Sequence, residues 1–197
     1  KTTIIDPATG VDCKVREDGA QIVSTEGARA VYRYSGSAFA MVANPTVAIV
    51  IRGSATKKVG IKRVAIAGAA TAAGTMPCVL TRRSSAGTVG SAVLTGVTAC
   101  KHDTTDSAAT ATVSTVGTAN YTTPGTSVAT AAAGRVCMTA LGTGVGVQPL
   151  VFEFGAIRGS KPFLLASDSE WLTVDFSGAS IPSGGVIDYE IETVEYA

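Results

Sequence analysis

Apolar and acidic side chains alternate along most of the segment Val186–Tyr196, so its pattern has a period of two residues. Successive side chains of a β-strand point to opposite faces, so this period predicts an antiparallel strand with one face on a core and the other in solvent. The expected inner residues are Ile187, Tyr189, Ile191 and Thr193, and the expected outer residues are Asp188, Glu190 and Glu192. No segment of the chain keeps a 3.6-residue apolar period for three turns, so we expect little helix.

Short runs of β-branched and aromatic residues recur along the rest of the chain between turn residues. Val and Thr, which suit a pleated sheet, number 23 and 26, whereas Leu, the usual residue of amphipathic helices, numbers 7. The 22 Gly would punctuate many short strands. Further strands are predicted at residues 30–34, 38–42, 47–51, 57–68, 76–83, 109–116, 135–141, 149–154, 163–165 and 171–176. We therefore predict an all-β protein, an antiparallel β-sandwich of jelly-roll type.

Two of these strands allow sharper predictions. Val47–Ile51 is apolar at every position, so we expect it to be covered on both faces. In residues 57–68 the apolar side chains move from odd to even positions: Val59 and Ile61, then Val64 and Ile66. Apolar side chains can move from odd to even positions within a strand only at a bulge or where a different face of the strand becomes covered. We predict such a change near Lys62-Arg63.

Residues 1–28 differ from the remainder, and we assign them to an extended arm that precedes a sandwich domain at 29–197. Their apolar pieces are short and alternate with polar turns, and Asp18-Gly19 is a hairpin signal. Because these pieces are too short to form a core of their own, we expect them to dock on a neighbouring surface. The arm residues predicted to make those contacts are Ile4, Ile5, Val15, Ile22 and Val23.

The charge balance limits the kinds of partner. Lys and Arg total 16 against 15 Asp and Glu, a net charge of +1, which gives no broad attraction for nucleic acid or anionic membranes. The apolar runs are also too short to cross a bilayer as a helix. We therefore expect no nucleic-acid partner and no membrane contact. Charged residues make up 16% of the chain, below the usual quarter, so we infer that partners cover much of its surface.

Two charged groups each allow two interpretations. Arg82 and Arg83 would grip an acidic partner, and we include them among the partner-binding residues; equally, such charges keep edge strands from aggregating. The acidic series Asp188, Glu190 and Glu192 would form either a salt-bridge ladder to a neighbouring subunit or a solvated strand face.

The sequence offers little for catalysis, and we expect no enzymatic activity, no cofactor and no metal. His102 is the only histidine, and its polar surroundings, with Asp103 and Asp106, suit a solvated turn better than a general base. The cysteines lack the close-spaced ligand pairs of a metal site, so we expect free and mostly buried thiols. They are Cys13, Cys78, Cys100 and Cys137.

The order of several segments resembles that in virion proteins of tailed bacteriophages. These segments are Asp6–Gly10 with Lys14-Val15, Ala38–Ala40, Ile51–Val59, Arg82–Ser85, His102–Asp106 with Ala109–Val113, Val151–Gly155 and the acidic C-terminal strand. The likeness covers most of the chain as a succession of strands and turns. It includes no catalytic signature.

This resemblance implies a jelly-roll protein that decorates or cements a capsid, or forms part of a head fibre, often as a homotrimer with an N-terminal arm on the particle. Its partner would be the major capsid protein or another virion protein, and it would join the virion in the host cytoplasm. The alternative is a receptor- or glycan-binding module of a fibre or tail, with the predicted loops 84–108 and 117–134 as its recognition surface.

Overall fold

A computed structural model describes residues 29–140, 148–155 and 161–196, together with the segments Ile4–Ile5 and Asp12–Cys13. None of these residues lies in a helix, so the described chain has no helix able to cross a membrane. The strands are β1 (Ile4–Ile5), β2 (Asp12–Cys13), β3 (Val31–Ala40), β4 (Val47–Arg52), β5 (Lys58–Ala70), β6 (Gly74–Arg83), β7 (Val93–Val97), β8 (Cys100–Lys101), β9 (Thr112–Gly117), β10 (Ser127–Ala140), β11 (Leu150–Glu153), β12 (Phe163–Leu165), β13 (Trp171–Asp175) and β14 (Val186–Tyr196). The all-β prediction is confirmed.

Twelve of these strands form one large sheet, and β1 and β2 pair separately. The main strand order is β7-β9-β4-β13-β6-β10-β5-β14-β3-β8, and β11 and β12 also pair with β5. The pairing departs from the predicted antiparallel arrangement at one place, because β10 runs parallel to β5 where Met138–Ala140 meets Gly68–Ala70. The long strand β10 pairs with β6 over most of its length and reaches β5 only with its last residues.

The predicted change of parity in β5 is confirmed. Its pairing with β14 shifts register at Lys62, which is exposed, and the buried side chains change from odd to even positions there. The neighbour on the other edge changes at the same point: β12 pairs with residues 59–61, and β11 with residues 63–66. At this bulge β5 exchanges β12 for β11 along one edge, while β14 stays paired along the other.

The large sheet curls around one hydrophobic core. The Cα atoms of β3 and β7, which lie near opposite ends of the strand order, come within 8 Å of each other without pairing. Fully buried side chains come from both halves of the sheet, among them Tyr34 of β3, Ile61 of β5, Leu80 of β6 and Leu172 of β13. The sandwich-like protein is thus a single curled mixed sheet, and its assignment as a jelly roll stays a prediction.

Strand β4 is covered on both faces, as predicted. All five residues of Val47–Ile51 are buried, and a second, smaller cluster covers the face of β4 away from the main core. That cluster consists of Val47, Val50, Ala92, Val116, Tyr121 and Trp171, with Val89 packed against it. The segments around β7 and β9 therefore help to bury the central strands.

The predicted loops 84–108 and 117–134 were wrong in part. The first contains β7 and β8, and β10 begins at Ser127 within the second. Strand β8 is only two residues long, and Ser127–Gly134 of β10 consists of Ser, Val, Ala, Thr and Gly, so neither shows the run of large apolar residues that marks a strand in a sequence. Strand β7 does contain Val93, Leu94 and Val97, but the Ser, Thr, Gly and Ala around it favoured a loop. The pairing of β7, β8 and β10 with β9, β3 and β6, respectively, is what forms these strands.

Candidate assembly surfaces

The arm residues predicted to contact partners are only partly placed. Ile4 and Ile5 form β1 and pair antiparallel with Asp12–Cys13. Val15, Ile22 and Val23 lie outside the described residues, and so does the predicted hairpin at Asp18-Gly19. The contacts of the arm therefore stay a prediction.

Arg83, the second of the predicted basic pair, lies inside the protein. Strand β6 runs between β13 and β10, and Arg83 is 7% exposed, so it neither guards a sheet edge nor offers surface to a partner. Its Nη2 lies 2.7 Å from Asp175 Oδ2, and its Nε donates to Thr173 Oγ1 at 2.9 Å. Its Nη1 donates to the carbonyl oxygen of Gly125 at 3.1 Å. We reassign Arg83 to a structural role that joins β6, β13 and the turn before β10.

Arg82 lies on the opposite face of β6 and is half-buried. Its Nη2 lies 2.8 Å from Glu170 Oε2, and its guanidinium carbon is 5.4 Å from the ring centroid of Phe163. Binding of a partner by Arg82 stays a prediction, and any acidic partner would compete with Glu170.

The acidic series on β14 is paired within the chain. Glu190 Oε1 accepts a hydrogen bond from Arg63 Nη1 of β5 at 2.9 Å, and its Oε2 lies 3.8 Å from Arg33 Nε of β3. Glu192 Oε1 lies 3.3 Å from Lys62 Nζ. The acidic series therefore forms ion pairs across three strands of its own sheet, which neither interpretation predicted, and a ladder to a neighbouring subunit stays a prediction.

Asp188, at the start of the acidic series, serves a bulge in the neighbouring strand. The pairing of β3 with β14 shifts register between Gly36 and Phe39, and Ala38 adopts a positive φ of 51°. Asp188 Oδ1 accepts a hydrogen bond from the Ala38 backbone N–H at 2.7 Å. The carboxylate thus satisfies a donor that the irregular ladder leaves unpaired.

Glu195 has a structural role that its sequence position alone did not lead us to predict. Its side chain is fully buried at the end of β14, and Oε1 accepts hydrogen bonds from the backbone N–H groups of Thr110 and Ala111, the latter at 3.0 Å. Lys57 Nζ lies 3.1 Å from Oε2. Burial by itself raises the pKa of this carboxyl, but the bonds from Ala111, Thr110 and Lys57 outweigh burial and leave the pKa below its usual value.

Two tyrosines of β3 fasten the same loop. The hydroxyl of Tyr32 donates to the carbonyl oxygen of Ser107 at 3.0 Å, and that of Tyr34 donates to the carbonyl oxygen of Ala111 at 3.0 Å. Burial, followed by the nearby Glu195 carboxylate, raises the pKa of Tyr34, which keeps its hydroxyl a donor. Segment 107–111 leads into β9, so these bonds connect the two halves of the curled sheet. We call Glu195, Lys57, Tyr32 and Tyr34 with segment 107–111 the seam.

The residues considered for catalysis lie in a largely exposed turn, as predicted. His102 is exposed, and its backbone N–H donates to the carbonyl oxygen of Val31 at 3.0 Å. Asp103 Oδ1 accepts from the backbone N–H and the hydroxyl of Thr105 at 2.9 and 2.7 Å rather than orienting the imidazole. Those bonds lower the pKa of Asp103.

Three of the cysteines, Cys78, Cys100 and Cys137, are free thiols, as predicted. Cys78 is buried, but Cys100 and Cys137 are exposed, so the prediction of mostly buried thiols was wrong for these two. Burial, followed by the nearby Asp175 carboxylate, raises the pKa of Cys78 to about 12. No group of three His, Cys, Asp or Glu side chains within the described ranges could hold a metal ion.

A groove of about 490 Å³ opens beside the seam. Its lining is built mainly from Ala, Gly, Thr and Val, and Lys101 supplies the one cation among the lining residues. Lys101 Nζ donates to the carbonyl oxygen of Asp106 at 2.6 Å. Tyr34 is the one aromatic residue of the lining, and it is 1% exposed. The groove therefore lacks the open aromatic face on which a sugar ring stacks.

Two strand edges, at opposite ends of the run β7-β9-β4-β13-β6-β10, have exposed stretches that carry no charge. Within the described residues, β7 pairs with β9 alone, and Ser127–Gly134 of β10 pairs with β6 alone. Val93–Val97 and Ser127–Gly134 contain no acidic or basic residue, but the β10 stretch that pairs with β6 alone continues to Cys137 and includes the exposed Arg135. Val93 and Leu94 of β7 are 50% and 38% exposed, and Val128 of β10 is 57% exposed. We call Val93–Val97 the β7 edge and Ser127–Gly134 the β10 edge.

Soluble proteins usually protect open strand edges. Lys and other charges, proline, bulges or a covering loop keep such an edge from pairing with another chain. The β7 edge has none of the charges or proline, whereas the β10 edge has register shifts at Val128 and Ala131 and is followed by the exposed Arg135. Uncharged and exposed, both edges are suited to pair with a further strand.

Comparison of the chain with protein-family models, with curated proteins and with solved structures finds no match, so the resemblance to virion proteins of tailed bacteriophages stays a prediction.

Proposed function

We propose that this protein is a structural component of a larger assembly, in which it acts by binding other subunits rather than by transforming a substrate. The observation that carries this proposal is the pair of open, uncharged edges, β7 and β10, on a domain whose core is otherwise well packed. On the outer face of β3, β5 and β14, the carboxylates of Glu190 and Glu192 are paired with basic side chains of the same chain, as Glu190 is with Arg63. Strand edges are then the surfaces most ready to join another protein.

The assembly that the sequence favours is the capsid of a tailed bacteriophage, with this protein as a decorating or cementing subunit. A protein that binds only the assembled shell stabilises it by mass action. Shells that lack the protein should therefore lose integrity at a lower temperature than shells to which it has been added back. Calorimetry of both kinds of shell tests this, and equal melting temperatures would contradict cementing.

The alternative is a receptor- or glycan-binding module, and the groove beside the seam is the observation that favours it. Its volume of about 490 Å³ lies within the range of ordinary ligand pockets. Its lack of an exposed aromatic ring makes glycan binding the weaker proposal. A glycan array probed with the purified protein tests this alternative. Ala109→Trp should fill the groove, so specific glycan binding that this variant abolishes would favour the alternative over cementing.

A further inference from the structure

We propose that copies of this chain associate head to tail, the β7 edge of one copy pairing with the β10 edge of the next. This inference rests on the proposed role in assembly and names the partner at the open edges as a second copy. The topology carries it: β7 and β10 are the two ends of the run β7-β9-β4-β13-β6-β10. Pairing between them would continue one sheet from copy to copy.

The distribution of charge favours a second copy over an unrelated partner. The edge formed by β3 and β8 carries Arg33 and Lys101, whereas the β7 and β10 edges carry no charge. Both unprotected edges belong to one chain, so pairing between copies satisfies both at once. A net charge of +1 on 197 residues adds almost no repulsion between copies.

The side chains at the edges agree with this arrangement. Val93, Leu94 and Val128 are large exposed apolar residues, and strand pairing would bring those of the two edges together. Apart from the half-buried Val97, the remainder of each edge consists of Thr, Ser, Ala and Gly, which let a further strand approach closely. A contact between two different surfaces is heterologous, and such contacts close into a ring when the rotation between copies permits. The homotrimer implied by the resemblance would be one such ring.

The test uses the full chain with one charge placed on either edge. Leu94→Lys disables the β7 edge, and Val128→Lys disables the β10 edge. Thr104→Lys adds the same charge at an exposed residue of the turn that follows β8, outside both edges, and is the matched control. Sedimentation velocity should show an oligomer for the wild type and the control and a monomer for each edge variant. A monomeric wild type, or an oligomer of either edge variant equal to the wild type, would overturn the inference.

Mixing the two edge variants separates head-to-tail pairing from a symmetric contact. The Leu94→Lys protein keeps its β10 edge and the Val128→Lys protein keeps its β7 edge, so an equal mixture should form a dimer that grows no further. A symmetric contact between two β7 edges predicts that Val128→Lys dimerises alone and that mixing adds nothing. Either of those results would refute the proposed pairing.

A crosslinking experiment keeps the test valid if a lysine variant folds poorly. Leu94→Cys and Val128→Cys are made separately in a chain whose Cys13, Cys100 and Cys137 are serine. A short bismaleimide should join the two proteins to each other but neither to itself, and self-crosslinking alone would exclude the proposed contact. The two proposals can fail separately. If the protein stays monomeric in all these experiments but still raises the melting temperature of the shell, the head-to-tail pairing is refuted and the proposed role in assembly is not.

Discussion

The outer face of β3, β14 and β5 and the outer edges of β7 and β10 deal with polar groups in opposite ways. On the first surface, acidic residues of the middle strand pair with basic residues of the strands on either side, as Glu190 does with Arg33 and Arg63. On the second, the backbone groups of Val93–Val97 and Ser127–Gly134 have no strand partner on one side among the described residues, and neither stretch itself carries a charged side chain. The contrast teaches that exposure alone does not mark a binding surface. What distinguishes the proposed binding surface is the presence of exposed backbone N–H and C=O groups that have no strand partner among the described residues.

The largest effect should come from breaking the most deeply buried pair. Arg83→Met leaves the Asp175 carboxylate buried without its cation, which should lower the free energy of unfolding by about 3–5 kcal/mol. Arg82→Met, one residue away, removes a pair that is partly solvated and should cost about 0–1 kcal/mol. Urea unfolding of both variants at neutral pH measures the difference. Equal losses would show that the buried pair is not distinct from the surface charges.

The next effect concerns the seam and depends on pH. Glu195→Gln removes the charge that accepts from the backbone of Thr110 and Ala111 and pairs with Lys57, so it should cost about 1.5–3 kcal/mol at neutral pH. Because the pKa of Glu195 is lowered in the folded protein, its contribution is present above the unfolded-state pKa of about 4.3 and is lost as pH falls through the lower folded value. The difference in stability between the wild type and the variant should therefore shrink on acidification.

Chemical unfolding of the wild type and the Glu195→Gln protein from neutral pH to about pH 3 measures this change. Burial raises the pKa of Asp175, so its linkage has the opposite sign, but both proteins contain it and the comparison cancels it. Glu192→Gln is the matched control on the outer face. A difference for Glu195→Gln that stays constant with pH would show that the seam does not depend on the carboxylate charge.

A smaller effect is expected on the paired outer face. Glu190→Gln weakens contacts to two arginines that are 44% and 38% exposed, so the loss should be no more than about 1 kcal/mol and should decrease in salt. Thermal unfolding at low and high ionic strength checks both statements. A salt-independent loss of several kcal/mol would mean that this ladder belongs with the buried pairs.

Features that follow from the alternation of side chains along one strand could be predicted from the sequence. Features that depend on pairing between strands far apart in the sequence could not. The bounds of β14 and the bulge at Lys62 follow from apolar parity, which any one strand carries by itself. The same parity places Glu195 among the inward positions of β14, a signal that was present and overlooked. Nothing local in Ser127–Gly134 distinguishes a strand from a loop, because β6 rather than composition sets its register. The open edges were therefore visible only once the strand order was known.

The smallest change in the free energy of unfolding is expected for the two edge variants, for which we predict the greatest effect on association. Leu94→Lys and Val128→Lys replace side chains that are 38% and 57% exposed, so each should change the free energy of unfolding by no more than about 0.5 kcal/mol. Unfolding must be measured at protein concentrations low enough for every variant to be monomeric, because association itself adds apparent stability. A loss above about 1 kcal/mol under those conditions would mean that the chain uses these residues in its own packing. The edges would then be no different from the paired face, since their apolar side chains would already have a partner within the chain.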